Sequence, residues 1–367
     1  RHAPTARPFA TIAAVAGGAV QDVADAYPLS PLQEGMLLHG LIDDDTSTFF
    51  VQFCFTIDGA LDVELFRQSW SGVLQRHDAL RARFVHQGVD RPLQILLRER
   101  ELPFHFEDLR SIPPDEQAER LARFRQLDRA RSFDLTRDVL MRLAVFQDSE
   151  RRFVAVLSVH HIVIDGWCLA PLFAEMATTY RALSRGSQPA LPAPARYASF
   201  IRWLDSHDRE ASRAFWETYL RGFARPTGLP RVADREHDEA PERQRLVGEL
   251  PAEDTARLNR VAAERRVTLS SMLRAAWSLL LAKYNASDDV VFGVVVSGRP
   301  PDLPGVEHMI GMFINTVPLR IRIEPDLGFA AFARKLQSHA PVVGLGPALG
   351  DQTCPDQFLH EQAAGRL

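Results

Sequence analysis

Two adjacent histidines close an apolar run and are followed, a few residues later, by an acid and a glycine. His160 and His161 come directly after Phe153–Val159, and Asp165 and Gly166 lie four and five positions after the second histidine. A short, β-branched apolar run of this kind predicts a buried strand. Because successive side chains of a strand point to opposite faces, only one histidine can face a cleft while the other packs behind it. The spacing therefore predicts a histidine base at a rigid strand end, with its loop held by the acid.

A histidine near a strand end is more often a partly buried polar side chain with a satisfied hydrogen bond. The shorter pattern HxxxD also arises readily by chance. The full pattern HHxxxDG after an apolar strand is more specific. It resembles the core motif of the condensation domains of nonribosomal peptide synthetases, within the CoA-dependent acyltransferase superfamily.

Four further stretches resemble condensation-domain motifs, in the order in which the family has them. They are Tyr27–His39 for the first motif, Arg76–Phe84 for the second with Ala82 in place of the usual threonine, Tyr197–Trp203 as a looser fourth, and Ile310–Arg320 for the fifth. Each stretch alone would pass for an ordinary helix, strand or turn, so the joint order carries the resemblance. In the first motif, Ser30 is placed to cap a helix that has Pro31 at its first position and Gln33 at the capping-box position.

Strand and helix patterns alternate in both halves of the chain, which predicts an α/β protein built in layers. The strands are predicted at Phe49–Ile57, Leu140–Gln147, Phe153–Val159, Leu246–Glu249, Asp289–Val296 and Phe313–Ile323. The helices are predicted at Pro31–Leu41, Val63–Gln75, Pro114–Ala130, Leu169–Ser184, Tyr197–Leu220, Ala252–Glu264 and Leu269–Tyr284. The resemblance further implies two similar chloramphenicol-acetyltransferase-like lobes in a V, with the active site at their junction.

Composition divides the chain into four parts. Residues 1–21 are expected to be an upstream linker, residues 22–185 an N-terminal lobe, and residues 186–340 a C-terminal lobe that is truncated relative to the family. Residues 341–367 are rich in Gly, Pro and Ala, and nothing in them resembles the family, so they are expected to form an atypical tail.

Charge and cysteine content exclude several classes of protein. The net charge is −4, from 43 basic and 47 acidic residues. The composition therefore has no excess of basic residues that would predict nucleic-acid binding. No apolar run approaches the length of a membrane span. Three cysteines without metal-ligand spacing fit a reducing cytoplasm and predict no disulfide framework. Gly-rich phosphate loops are absent and the histidines lack ligand spacing, so neither a metal nor a nucleotide cofactor is predicted.

The resemblance implies an amide-bond-forming acyltransferase of antibiotic or other secondary metabolism. The α-amine of a downstream aminoacyl thioester would attack an upstream acyl or peptidyl thioester. Both substrates would be carried on the phosphopantetheine of partner carrier domains, beside an adjacent adenylation domain. An epimerisation domain, a stand-alone acyltransferase and an inactive remnant remain alternatives. The Gln33-Glu34-Gly35-Met36 form of the first motif leans slightly towards a donor of D configuration.

The resemblance also assigns roles at the site. His161 is implied as the catalytic group, either as a general base or as a group that positions the amine. His160 is expected to support it structurally. Asp165 is expected to pair with Arg76 of the second motif and to fix the loop, rather than to form a dyad with the histidine.

Three more residues are implied at or near the site. Gly166 is expected to let the thioester arm pass close to the strand end, and Trp167 is expected to have a packing role. Asn315 is expected either to face the lobe junction or to make a turn or strand-end hydrogen bond. The stretch Ser297-Gly298-Arg299-Pro300 also resembles a family segment, with a weaker functional implication.

Overall fold

The described residues of the chain fall into two compact units. The computed structural model describes residues 22–42, 48–229 and 247–345, with side chains as far as residue 338. The first unit runs to His207 and also includes Ser297–Ile314, and the second contains Asp208–Val296 and the described residues from Asn315 onward. The first unit therefore contains a segment from the second half of the sequence.

A four-stranded sheet carries the double histidine at one strand end. Its strand order is β2-β7-β6-β5, with β2 at Phe50–Asp58, β5 at Phe104–Asp108, β6 at Met141–Ser149 and β7 at Arg152–His160. The β5–β6 pair is parallel and the other two pairs are antiparallel. Strand β7 lies between β2 and β6 and is buried along most of its length, which is why its sequence is an almost continuous apolar run.

A second, three-stranded sheet of the first unit has the antiparallel order β1-β4-β3. Its strands are β1 at Val23–Pro28, β3 at Ala82–Val85 and β4 at Leu93–Leu97. The helices of this unit are α1 at Pro31–Ile42, α2 at Val63–Arg76, α3 at Pro114–Arg131, α4 at Leu169–Leu183 and α5 at Tyr197–Asp205.

Several large aromatic side chains pack together in the core of the first unit. Trp70 of α2, Phe84 of β3 and Phe200 of α5 are all fully buried in one cluster. Phe313, from the segment Ser297–Ile314, is fully buried in the same cluster. That segment is therefore an integral part of this core.

The second unit consists of a two-stranded antiparallel sheet and four described helices. The strands are β8 at Asp289–Val296 and β9 at Asn315–Arg322, and the helices are α6 at Arg209–Leu220, α7 at Ala252–Glu264, α8 at Leu269–Asn285 and α9 at Phe329–Leu345. Its core takes alternate residues of β9, Val317, Leu319 and Ile321, together with apolar side chains of α7, α8 and α9. Among the described residues, no helix is long and apolar enough to cross a membrane.

Most predicted elements are confirmed, with the ends moved by a residue or two, but two are wrong. The helix predicted at Tyr197–Leu220 is two helices, because Asp208 caps α6 with its side chain and ends the continuity with α5. The strand predicted at Leu246–Glu249 is not formed at residues 247–249, which pair with no described strand; residue 246 lies outside the described residues. The strand predicted from Phe313 begins at Asn315, because the preceding residues are irregular.

The division of the chain also differs from the predicted lobes. The predicted boundary at residues 185 and 186 lies inside the first unit, because α5 belongs to the core of that unit. Residues 341–345 of the predicted tail form the last turn of α9. The predicted linker, residues 1–21, and residues 346–367 of the tail lie outside the described residues.

Candidate active site

The double histidine lies where β7 leaves the four-stranded sheet. His160 is the last residue of β7 and is opposite Phe50 of β2. The backbone N–H of His161 donates to the carbonyl of Phe49 at 2.8 Å, and a short 3₁₀ turn then begins at His161. The strand therefore fixes the backbone of both histidines before the chain turns.

His160 faces the interior, as strand alternation predicts for one member of the pair. Its side chain is 5% exposed. Its Nδ1 accepts a hydrogen bond from the backbone N–H of Ile162 at 3.1 Å, which caps the 3₁₀ turn. Burial, and to a smaller extent the neighbouring His161, lowers the pKa of His160 from 6.5 to about 4. His160 is therefore neutral at physiological pH and carries its ring proton on Nε2.

His161 is the histidine that reaches solvent. Its side chain is half-buried, and its Nδ1 is enclosed without a hydrogen-bond partner among the described residues. Its imidazole is thus held by the backbone and by packing, not by a side-chain partner. Such a ring can accept a proton or a hydrogen bond from a molecule that binds beside it.

Asp165 organises the turn that follows. Its carboxylate is fully buried, with 0% of the side chain exposed. Its Oδ1 accepts from the backbone N–H of Trp167 at 3.0 Å and so caps the next 3₁₀ turn. Its Oδ2 accepts from the backbone N–H of Phe313 at 3.1 Å. Both oxygens are occupied, which is how a buried carboxylate offsets its loss of water.

The predicted pairing of Asp165 with Arg76 is wrong, because Asp165 pairs with Arg299. The Arg299 guanidinium lies 3.3 Å from Asp165 Oδ1. Arg76, at the end of α2, instead contacts Glu175 of α4 at 2.9 Å and also donates to the carbonyl of Pro192. The α2–α4 contact turns Arg76 towards a carboxylate of its own, which satisfies its charge elsewhere.

Arg299 joins the segment Ser297–Ile314 to the histidine turn. Besides Asp165, it donates to the carbonyls of Val306 and Met309, the latter at 2.8 Å. Its guanidinium also lies over the ring of Phe313, 4.0 Å from the centroid. A planar cation with several donors suits such a site, because it can serve a carboxylate and two carbonyls at once. Sequence reasoning noted this arginine but did not identify its partner.

Cys168 is the last member of this buried polar cluster. Its thiol is fully buried and lies 3.3 Å from Asp165 Oδ1 and 3.2 Å from the carbonyl oxygen of Gly311. Burial, followed by the nearby Asp165 carboxylate, raises the pKa of Cys168 to about 12. The thiol therefore stays protonated and serves as a weak donor, not as a nucleophile.

Gly166 and Trp167, which lie between Asp165 and Cys168, face solvent. A Cβ added at Gly166 would meet nothing within 4 Å, so the fold itself does not require a glycine there. The indole of Trp167 is 63% exposed. The predicted packing role of Trp167 is therefore wrong, because the turn started by Asp165 buries Cys168 and directs Trp167 outward.

Helix α1 supports the histidine turn from the first motif. Ser30 Oγ accepts from the backbone N–H of Gln33 at 3.3 Å, and Gln33 Oε1 accepts from the backbone N–H of Ser30 at 2.9 Å. This is the predicted capping box. The same Gln33 side chain donates to the carbonyl of Ile162 at 2.9 Å. That second contact joins the first motif to the residue after His161, and the capping-box pattern alone does not predict it.

Asn315 belongs to the second unit, where it is the first residue of β9. Its side chain is buried, and its Oδ1 accepts from the backbone N–H of Thr316 at 2.9 Å. This is the strand-end hydrogen bond given as one of its two predicted roles. Over the described residues, no group of three or more His, Cys, Asp or Glu side chains is arranged to hold a metal ion.

A comparison with protein families identifies the family to which this chain belongs. The model of the family described as Condensation domain matches residues 23–343. The chain belongs to the condensation domain family. The resemblance read from the five motifs is thereby confirmed, and with it the prediction of a condensation domain of the nonribosomal peptide synthetase type.

Curated relatives are large synthases of which this condensation domain spans a small part. It is 37% identical over 318 residues to bacitracin synthase 3 of Bacillus licheniformis, covering 87% of this chain and 5% of that protein. It is 36% identical over 320 residues to surfactin synthase subunit 3 of Bacillus subtilis (strain 168), covering 87% of this chain and 25% of that protein.

A solved structure confirms the α/β fold class. The first condensation domain of the calcium-dependent antibiotic synthetase, in complex with a substrate analogue, superposes with a TM-score of 0.74 at 23% identity. The match covers 93% of this chain and 78% of that one. At this level of identity the likeness speaks for the fold, and function rests on the residues of the site.

Proposed function

We propose that this condensation domain forms an amide bond between two carrier-bound substrates, with His161 as the catalytic group. The observation that carries the proposal is the half-buried imidazole of His161 at a fixed strand end, whose ring bonds to no described side chain. Membership of the family supports the reaction class. The curated relatives, as synthases several to many times longer than this domain, support substrates delivered by neighbouring domains.

The reaction requires a neutral amine and the removal of one proton. The nitrogen of the acceptor amine bonds to the thioester carbon of the donor, the carbon–sulfur bond breaks, and the amine proton ends on the departing thiolate. An α-amine titrates near ~8, so at neutral pH much of it is protonated and unreactive. An imidazole at hydrogen-bond distance can hold the neutral amine or relay its proton. His161 would supply that group.

Asp165 has a structural role in this proposal. A dyad would need a carboxylate oxygen directed at His161, whereas both oxygens of Asp165 accept hydrogen bonds from Trp167, Phe313 and Arg299. The acid therefore holds the turn, and the histidine acts without a carboxylate behind it. His160 has the matching task on the strand side, since its ring caps the turn that begins at His161.

The substrates would reach His161 on the phosphopantetheine arms of an upstream and a downstream carrier domain. The open space beside Gly166 supports passage of such an arm, because apart from the glycine and its two chain neighbours no described atom lies within 4 Å of the position of a Cβ there. An adenylation domain would load the acceptor carrier, in the cytoplasm. The domain would need no bound cofactor of its own for this chemistry.

The test is a reconstituted condensation assay. The purified chain is mixed with a carrier protein bearing an aminoacyl donor, offered as either enantiomer, and a second carrier bearing an aminoacyl acceptor. Acceptor-bound dipeptide is measured by mass spectrometry for the wild type, His161→Ala, and the matched surface-histidine variant His105→Ala. Product from the wild type and from His105→Ala, with far less from His161→Ala, supports the proposal. An equal rate in all three proteins, or no product from the folded wild type with any donor, contradicts it.

A further inference from the structure

The side-chain amide of Gln33 is buried and bonds three separate parts of the first unit. Gln33 is the third residue of α1, and 1% of it is exposed. Its Nε2 donates to the carbonyl of Ile162 at 2.9 Å. Its Oε1 accepts from the backbone N–H of Ser30 at 2.9 Å and from Nε2 of Gln94 at 3.2 Å. One amide therefore bonds the helix cap, strand β4 and the turn that begins at His161.

Gln94 of β4 fixes the orientation of the Gln33 amide. Its side chain is also buried, and its Nε2 donates both to Gln33 Oε1 and to the carbonyl of Pro28 at 2.9 Å. Both partners are acceptors, so Gln94 must present its nitrogen to them. The Gln33 oxygen is thereby used, which leaves its nitrogen for the Ile162 carbonyl. The two amides form a continuous hydrogen-bonded path from the three-stranded sheet to the residue after His161.

The turn that carries His161 is short and is supported by side chains on both faces of one residue. It is a 3₁₀ turn of three residues, in which the N–H of Ile164 donates to the carbonyl of His161 at 3.3 Å. The N–H of Ile162 bonds to the ring of His160, and the carbonyl of Ile162 bonds to Gln33. Because Ile162 directly follows His161, these two bonds restrict the backbone from which the imidazole extends.

We infer that the Gln33 amide is a positioning group for His161 in the condensation reaction, and that Gln94 orients it. A capping box needs only the oxygen that accepts from Ser30, whereas the nitrogen of Gln33 is used on the histidine turn. Both amides are buried, so a movement of the turn would leave polar partners unsatisfied and is resisted. Gln33 acts through the backbone of Ile162 and not by contact with a substrate. The inference rests on the proposed function.

The variant Gln33→Met keeps the length of the side chain and removes its hydrogen bonds. We expect kcat to fall roughly 10-fold with the KM for the acceptor carrier unchanged, since a small displacement of a catalytic group costs rate more than binding. Gln117→Met is the matched control. The Gln117 amide also donates to backbone carbonyls, those of Leu109 and Asp148, at the end of the four-stranded sheet away from His160. We expect its kcat to stay within about twofold of the wild type.

A double variant separates positioning from loss of the helix cap or of folded protein. In a His161→Ala background the group to be positioned is gone, so Gln33→Met should lower the residual rate by less than about twofold. A structural defect alone would reduce both backgrounds by the same factor. Equal reduction in the two backgrounds, or an unchanged kcat in Gln33→Met, would overturn the inference.

A second double variant tests the route through Gln94. Gln94→Met alone should lower kcat roughly 3-fold, because the Gln33 amide keeps its partner at Ile162 but loses the group that orients it. Added to Gln33→Met, it should lower kcat by less than about twofold further, since both act through one amide. An unchanged kcat in Gln94→Met, or effects of the two variants that multiply, would overturn the role assigned to Gln94.

Amide hydrogen exchange gives a measurement independent of activity. In Gln33→Met, exchange should accelerate at Ile162 and Ile164, whose N–H groups bond to His160 and His161, and it should be unchanged there in the control variant. If the wild type forms no product, the proposed function fails while this experiment still decides whether Gln33 holds the turn. If Gln33→Met does not fold, the single variant at position 94 is used in its place, with the same acceleration expected. Unchanged exchange in the folded variant would refute the inference.

Discussion

At the scale of the residue, His160 and His161 show how one strand gives adjacent identical side chains opposite tasks. His160 ends β7 facing the core and caps the following turn, while His161 begins that turn and reaches solvent. Strand alternation predicted this division from the sequence alone. The environment of His160 was not predictable, because the pKa of a histidine depends on the burial that the whole fold imposes.

His160 should contribute to the acid sensitivity of folding. Its pKa of about 4 in the folded state lies below the ordinary value of 6.5. The unfolded state therefore binds more protons across that interval, and the stability is present above pH 6.5 and lost as the pH falls towards 4. His160→Asn offers a cap acceptor that does not titrate. Between pH 7 and pH 4, the wild type should lose roughly 2–3 kcal/mol more stability than the variant in urea unfolding. Parallel losses in the two proteins would contradict this assignment.

The partner of Asp165 can be tested by double-variant cycles. Asp165→Asn should cost about 3–5 kcal/mol, because its amide nitrogen cannot accept the hydrogen bonds that both carboxylate oxygens receive. Combined with Arg299→Met, the two losses should be non-additive by at least about 1 kcal/mol, whereas combination with Arg76→Met should be additive within about 0.5 kcal/mol. Urea unfolding of the three single and two double variants measures both coupling energies. Coupling to Arg76 in place of Arg299 would restore the pairing predicted from the resemblance.

At the scale of the element, the turns hold the residues of the site, and the strands and helices support those turns. The long regular elements were predictable, because β7 and the α1 cap follow periodicity and capping rules that act within a few residues. The pairing of Asp165 was not predictable, because Arg76 and Arg299 both lie at or just after the end of a regular element and carry the same charge. Only the contact of Arg76 with Glu175 and the irregular course of residues 309–314 distinguish them.

Substitution by alanine should have very different effects on stability at two glycines of these turns. Gly298 has φ +61°, and a Cβ there would lie 1.7 Å from the carbonyl oxygen of Phe313. Gly298→Ala should therefore destabilise the fold by at least about 2 kcal/mol. Gly166→Ala meets open space and should change stability by no more than about 0.5 kcal/mol, yet it should slow condensation several-fold if a phosphopantetheine arm passes there. Thermal unfolding and the condensation assay separate the two effects. A fully active Gly166→Ala would remove the role proposed for this glycine.

At the scale of the whole molecule, the first unit is completed by a segment from the second half of the sequence. The segment Ser297–Ile314 supplies Arg299 and Phe313 to a unit whose other described residues end at His207. A division at the turn-rich stretch 184–194 follows composition, but long-range packing decides which residues share a core. The predicted lobes differ from the observed units for this reason.

A chain ending at His207 should fail to reach the native state. It lacks Arg299 and the Phe313 N–H, so the buried Asp165 carboxylate would lose its cation and one donor at a cost of about 3–5 kcal/mol. Joining residues 297–314 to His207 through a flexible linker should restore cooperative unfolding. Circular dichroism during urea titration compares the two chains. Cooperative unfolding of the shorter chain, with the stability of the joined one, would show that the segment is dispensable.

The measurement that tests the account most directly is the single-turnover rate of condensation for His161→Ala and His160→Asn, with both carriers loaded and the domain in excess. Removal of His161 should lower the rate roughly 10²–10⁴-fold, the range of general acid–base catalysis. His160→Asn keeps the cap on Ile162 and should stay within about 10-fold of the wild type. A larger loss in His160→Asn than in His161→Ala would contradict the assignment of the chemistry to the second histidine.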